Sequence, residues 1–185
     1  KGHLRGLIHD NFIVANDTMI VLRIERGPLA GGLGNVVVIS NTRSTVTGVD
    51  LFTYLPESSI STVSPMSGQL GTEVVISGTR LLGGGASIST VHFNATSARV
   101  VSGDNNSIRV VLPSVSPAGL VDVLVTADTG ATTLISDGFE FLVESNIGSV
   151  SPSVGQFGTS VTITGSNLRG GSSSVQDVLF GNAST

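Results

Sequence analysis

The chain repeats itself. Ile60 to Phe93, ISTVSPMSGQLGTEVVISGTRLLGGGASISTVHF, aligns without a gap on Ile147 to Phe180, IGSVSPSVGQFGTSVTITGSNLRGGSSSVQDVLF, 87 residues further on, with half of the positions identical. The repeat extends backwards at the same offset. Asn35 to Tyr54, NVVVISNTRSTVTGVDLFTY, matches Asp122 to Phe141, DVLVTADTGATTLISDGFEF, and Glu57-Ser58 matches Glu144-Ser145. A period of this length suits one small domain. The chain therefore divides into the C-terminal part of a first module (1–58), one complete module (59–145) and the N-terminal part of a third (146–185). Pieces of roughly 58 and 40 residues, with no cysteine to staple them, bury too little surface to fold alone, so each is expected to need its missing half. Lys1 follows no methionine or apolar leader and Thr185 falls inside the repeat, as expected of a mature product or a fragment.

Within the period, apolar residues come in short alternating runs. Val74 and Ile76 alternate with Glu73, Val75 and Ser77, which places the first pair on one face of a strand. Gly71 and Gly78 bracket that strand, where turns favour residues without a Cβ. Val91-His92-Phe93, Ile108 to Leu112, Val121 to Thr126 and Phe139 to Leu142 read as further strands. Turn signals separate them at Gly103-Asp104-Asn105, Pro113, Ser116-Pro117-Ala118-Gly119 and Asp128-Thr129-Gly130. Gly, Ser, Thr and Val dominate, and no segment carries a helical period. The pattern predicts an all-β chain of tandem immunoglobulin-like β-sandwiches, with about seven strands per module.

The ordered set of landmarks resembles the IPT/TIG module, the immunoglobulin-like fold of plexins and some transcription factors. Its elements are Ile60, Val63 to Pro65, Gly68, Gly71-Thr72, Val74, Ile76, Gly78, Leu81, Val91, Phe93, Gly119, Asp122-Val123, Val125-Thr126, Phe139 and Phe141. The resemblance covers essentially the whole chain, with the first and third modules partial. It implies a fold shared by receptors, surface proteins, accessory domains of starch-acting enzymes and DNA-binding factors, and so chooses no function by itself.

Charge and side-chain chemistry narrow that range. The nine Lys and Arg residues are scattered through a chain of net charge −4, so no basic stripe exists to neutralise phosphates and nucleic acid is not an expected partner. No run approaches the roughly 18 to 20 apolar residues of a spanning helix, so no membrane insertion is expected. The absence of cysteine removes disulfides and thiolate chemistry without fixing a compartment. His3, His9 and His92 are far apart, and His92 points to the opposite face from Val91 and Phe93. Asp104-Asn105-Asn106 and Asp128-Thr129-Gly130 lack the dense carboxylates of a calcium loop. Gly83-Gly84-Gly85 leads into neither a helix nor a Gly-Lys-Ser/Thr, and reads as a flexible loop rather than a phosphate cradle. No catalytic residue, metal or cofactor is expected, and the chain does not read as an enzyme.

The motifs that carry chemistry are N-x-Ser/Thr sequons at Asn16, Asn94, Asn105 and Asn182. Asn94 and Asn182 each follow the Phe that ends the long repeat, and Asn16 and Asn105 each precede a strand, as surface turns bearing N-linked glycans would. Asn, Ser and Thr are also ordinary turn formers. Short linkers such as Glu57-Ser58-Ser59-Ile60 limit motion between modules, which favours a stiff extracellular or cell-surface array, structural or adhesive. Its expected partners are adjacent modules or copies of itself, joined head to tail so that half-modules complete each other, and other cell-surface proteins. A ligand-binding ectodomain of a receptor or carbohydrate-associated protein is the alternative. Against sugar binding, the chain has no Trp and its one Tyr, Tyr54, aligns with Phe141 in a core-like strand.

Overall fold

The computed structural model describes residues 12–24, 31–112 and 117–181. The sequence-predicted turns at Pro113 and Ser116 lie outside the described residues. The chain separates into two compact units, Lys1–Glu57 and Ser58–Thr185. Every described element is a strand, and among the described residues there is no helix.

The first unit holds two hairpins. β1 (Phe12–Ala15) pairs antiparallel with β2 (Ile20–Leu22), and β3 (Gly32–Ile39) with β4 (Thr45–Tyr54). The second unit begins with β5 (Ser59–Ser64), the short β6 (Ser67–Gly68), β7 (Glu73–Thr79) and β8 (Ile88–Phe93). It continues with β9 (Thr96–Gly103), β10 (Ser107–Val111), β11 (Gly119–Ala127) and β12 (Thr132–Phe141), and ends with the hairpin of β13 (Asn146–Ser151) and β14 (Thr162–Ser166).

β5 to β12 run in the order β5-β7-β10-β9-β8-β11-β12-β6 and close into a sandwich because one strand belongs to both layers. The start of β9 pairs with β8, Phe93 opposite Thr96 and Val91 opposite Ala98, while its end pairs with β10, Ile108 opposite Gly103. The β10 pairing slips between Arg109 and Val110, a bulge that turns the strand from one sheet to the other. At the far edge, β6 lies parallel to β12, with Ser67 opposite Glu140.

Alternation decides what the layers bury. Val74 and Ile76 of β7 are fully enclosed, as are Val91 and Phe93 of β8, Ile108 and Val110 of β10, Val123 of β11 and Phe139 of β12. The intervening residues of these strands face outward. Phe93, Phe139 and Phe141 meet edge to face, with centroids 5.0 to 6.2 Å apart. Burying each such ring contributes about 1.5–3 kcal/mol.

The β11–β12 ladder also slips between Val121 and Val123. Asp137 there has φ 51°, and its N–H donates to Asp122 Oδ1 at 2.9 Å. β3 and β4 slip at the equivalent place, with Asp50 at φ 54° donating its N–H to Asn35 Oδ1 at 2.8 Å. Replacing Phe139 by Ala should lower the unfolding free energy by about 3–5 kcal/mol. Its exposed neighbour Glu140, replaced by Ala, should cost under about 0.5 kcal/mol. Urea denaturation followed by circular dichroism checks both.

Candidate functional site: surface turns and the junction after β12

The described sequons all sit on exposed turns. Asn16 closes the β1–β2 hairpin: its Oδ1 accepts from the N–H groups of Thr18 and Met19 at 2.9 and 2.8 Å and from the Thr18 hydroxyl at 3.0 Å. Asn94 turns β8 into β9 at φ 50°, a left-handed conformation that Asn tolerates better than most residues. Its N–H donates to Asp122 O at 2.9 Å, and its Oδ1 accepts from Asp122 N–H at 3.2 Å. Asn105 lies between β9 and β10, its carbonyl accepting from Leu81 N–H at 3.0 Å. In all three the oxygen faces the protein, and among the described residues the Nδ2 amide donates to no other group. Asn182 lies outside the described residues, as do His3 and His9.

The other sequence candidates serve the turns. Asp104 Oδ1 accepts from the N–H groups of Asn106 and Ser107 at 2.7 and 2.8 Å. These two bonds, Asn106 first, hold its carboxyl below the usual carboxylate range. Asp128 is occupied by the glycine loop: its carboxylate accepts from the N–H groups of Ala86 and Ser87 and from the Ser87 hydroxyl, at 3.0 to 3.2 Å. A Cβ on Gly85 would stand 1.8 Å from Asp128 Oδ1, so the carboxylate keeps this position only beside a glycine. The segment that follows the glycine run is thus tied to Asp128 through three donor groups. His92 is half-buried on the face away from Val91 and Phe93. Among the described residues no three His, Asp or Glu side chains gather as metal ligands, and no helix is long and apolar enough to cross a membrane.

Sequence reading missed the junction after β12. Gln69, in the turn between β6 and β7, receives the Ser145 N–H on Oε1 at 3.0 Å and donates from Nε2 to Ser145 Oγ at 2.7 Å. Ser145 Oγ donates in turn to Asn167 O at 2.5 Å, and Asn167 Nδ2 reaches the carbonyls of Val143 and Glu144. A cleft lined by Leu142, Val143, Leu168 and the loop 169–172 opens beside these bonds. The identity of Gln69 and Gln156 in the repeat was the available signal.

A fold of two sheets sharing a strand, with turns repeated at a fixed offset, is what the IPT/TIG resemblance implies. The sequence profile of the IPT/TIG domain matches residues 58–142 and 145–185. The chain belongs to the IPT/TIG family. Over 65 residues it is also 40% identical to cyclomaltodextrin glucanotransferase of Geobacillus stearothermophilus, a stretch that is 35% of this chain and 9% of that enzyme. Among solved structures it is similar to γ-CGTase from Alkalophilic bacillus clarkii, at 23% identity and TM-score 0.41 over 57% of this chain and 17% of that one. It is similar to the full extracellular region of plexin A4, at 19% identity and TM-score 0.45 over 66% of this chain and 10% of that one. An auxiliary nutrient binding protein from Bacteroides thetaiotaomicron gives 25% identity and TM-score 0.38 over 49% and 21%. The chain spans less than a quarter of each of these proteins.

Two outcomes test the turn chemistry of this IPT/TIG chain. Asp128→Ala, which frees the glycine loop, should cost about 1–2 kcal/mol in thermal or urea unfolding. The Asp104 bonds stabilise the turn at pH values above the ordinary carboxylate range and are lost as pH falls through the depressed folded value. A carbon-detected NMR titration should therefore place the Asp104 midpoint below that of Asp in an unstructured peptide, with the amides of Asn106 and Ser107 moving in the same transition.

Proposed function

We propose that this chain is part of a non-catalytic, extracellular or cell-surface IPT/TIG array, a structural or adhesive glycoprotein that forms a stiff rod or filament. The reading rests on core positions that are closed in β5 to β12 and open in both flanking segments. Val123 and Val125 are at most 1% exposed, but their counterparts Val36 and Val38 are exposed by 43% and 42%. Val91 and Phe93 are fully buried, but Val178 and Phe180 are exposed by 51% and 69%.

At the repeat offset, β1 to β4 correspond to β9 to β12, while β13 and β14 correspond to β5 and β7. The two flanks thus carry opposite halves of one sandwich. Each becomes a module when the other half is supplied, by a neighbouring copy joined head to tail or by continuation of the same polypeptide. Glycans on Asn16, Asn94 and Asn105 would decorate exposed turns, in keeping with the free amides of these three, and Asn182 would carry a fourth.

Sedimentation velocity of the 185-residue chain over a range of concentrations, with hydrogen exchange, tests completion. If copies complete each other, oligomers grow with concentration, and Phe52→Ala weakens association while leaving unfolding of residues 58–145 unchanged. A monomer at every concentration, with β3, β4, β13 and β14 fully protected, would sink completion between copies. A monomer in which those strands exchange fast assigns the missing halves to continuation of the polypeptide. Intact mass of native material with four unmodified sequons would remove the glycoprotein.

A second reading, a ligand-binding ectodomain or carbohydrate-associated module, is favoured by the 65-residue similarity to the glucanotransferase. Sugar rings stack on exposed aromatic faces, and Phe157 stands fully exposed on its turn. Retardation of the chain by immobilised cyclomaltodextrin, lost in Phe157→Ala, would favour this reading over the first.

A further inference from the structure

We infer that the turn Gln69–Thr72 is a polar latch that docks the following IPT/TIG module, and that Gln156–Thr159 offers the same latch to a module further along. The inference rests on the tandem-array reading and adds the contact that sets the angle between consecutive modules.

The turn itself is rigid. Gln69 N–H donates to Thr72 Oγ1 at 2.9 Å, Thr72 N–H donates to Gln69 O at 3.0 Å, and Gly71 between them has φ 81°. Main-chain bonds therefore hold the residue, and its side chain is left to act outward. It does so on the next segment, through both polar atoms, on the main chain and hydroxyl of Ser145. Ser145 passes the contact to Asn167, whose side chain closes back on the linker carbonyls. Steric fit on the same spot is close: a Cβ on Gly170 would lie 2.8 Å from Gln69 Nε2, and one on Gly171 would lie 2.2 Å from Leu142 Cδ1. Linker, turn and the first glycine loop of the next segment thus meet at one point.

The second copy of the turn has the same construction. Gln156 N–H donates to Thr159 Oγ1 at 2.9 Å, Thr159 N–H donates to Gln156 O at 3.0 Å, and Gly158 has φ 87°. Its side chain is exposed and makes no hydrogen bond among the described residues, whereas that of Gln69 is half-buried. The adjacent tip residue is apolar in both copies, Leu70 and Phe157. The occupant that fits Gln156 is the one that fits Gln69, a Ser-bearing linker entering the next IPT/TIG module.

The test uses the 185-residue chain and a Glu-specific protease, because Glu144 is exposed in the latched linker and cleavage there follows the population of the opened junction. Gln69→Ala removes two hydrogen bonds and should speed cutting after Glu144 by about tenfold. Gln69→Glu keeps the acceptor for Ser145 N–H and loses the donor, so it should give an intermediate rate, about threefold. Gln156→Ala should cut at the wild-type rate, and melting of residues 58–145 should be unchanged in all three. Equal cutting of wild type and Gln69→Ala would overturn the latch. So would a Gln156→Ala chain that opens as fast as Gln69→Ala, because Gln156 would then be spent within this chain. Neither result bears on sedimentation, which tests the array separately.

Discussion

A sheet in which every second residue is Val, Ile or Phe has one face that water will not tolerate, and covering that face is what the rest of this structure arranges. In residues 58–145 the cover is the chain's own second layer. β9 makes this possible by leaving the β8 edge and joining the β10 edge, so that a single continuous order of strands folds over on itself. β6 then pairs with the last strand at the far side. At the opposite end of β12, the hydroxyl of buried Thr133 meets that of Ser58, just before β5.

What the sequence shows of this depends on whether a strand serves one sheet or two. β7, β8, β10 and β11 keep strict alternation because each has one buried face along its length, and all four were legible. β9 was not. Its inward residues are Ala98 and the partly buried Val100, because the strand changes sheets and the register slips in between. β12 was read only from Phe139, whereas it begins at Thr132. Thr133 supplies a polar buried position there, and Asp137-Gly138 form the bulge, so the period of two disappears where the strand is most distorted.

The surface features divide along a similar line. The Asn16 turn and the Asp104 turn were visible because their hydrogen bonds join residues two or three apart. The Asp128 clamp spans about forty residues, and the Gln69 contact joins residues 76 apart. Neither has a local signature. The glycine run reads as a loop rather than a phosphate cradle; what composition does not show is the close approach of the Asp128 carboxylate to Gly85.

The repeats separate these two kinds of determinant within one molecule. The β3–β4 bulge keeps the bonding of the β11–β12 bulge, and the Gln156 turn keeps that of the Gln69 turn, although the apolar faces beside β3, β4, β13 and β14 are open. Asn167 and Arg80, at equivalent positions, share φ values of 53° and 55°. Local bonds therefore set the shape of these hairpins without burial of their apolar faces. A face already held in its geometry would lose little conformational entropy on being covered by further strands. On the proposed completion, the ordering cost would fall on the strands' mutual approach rather than on their shaping.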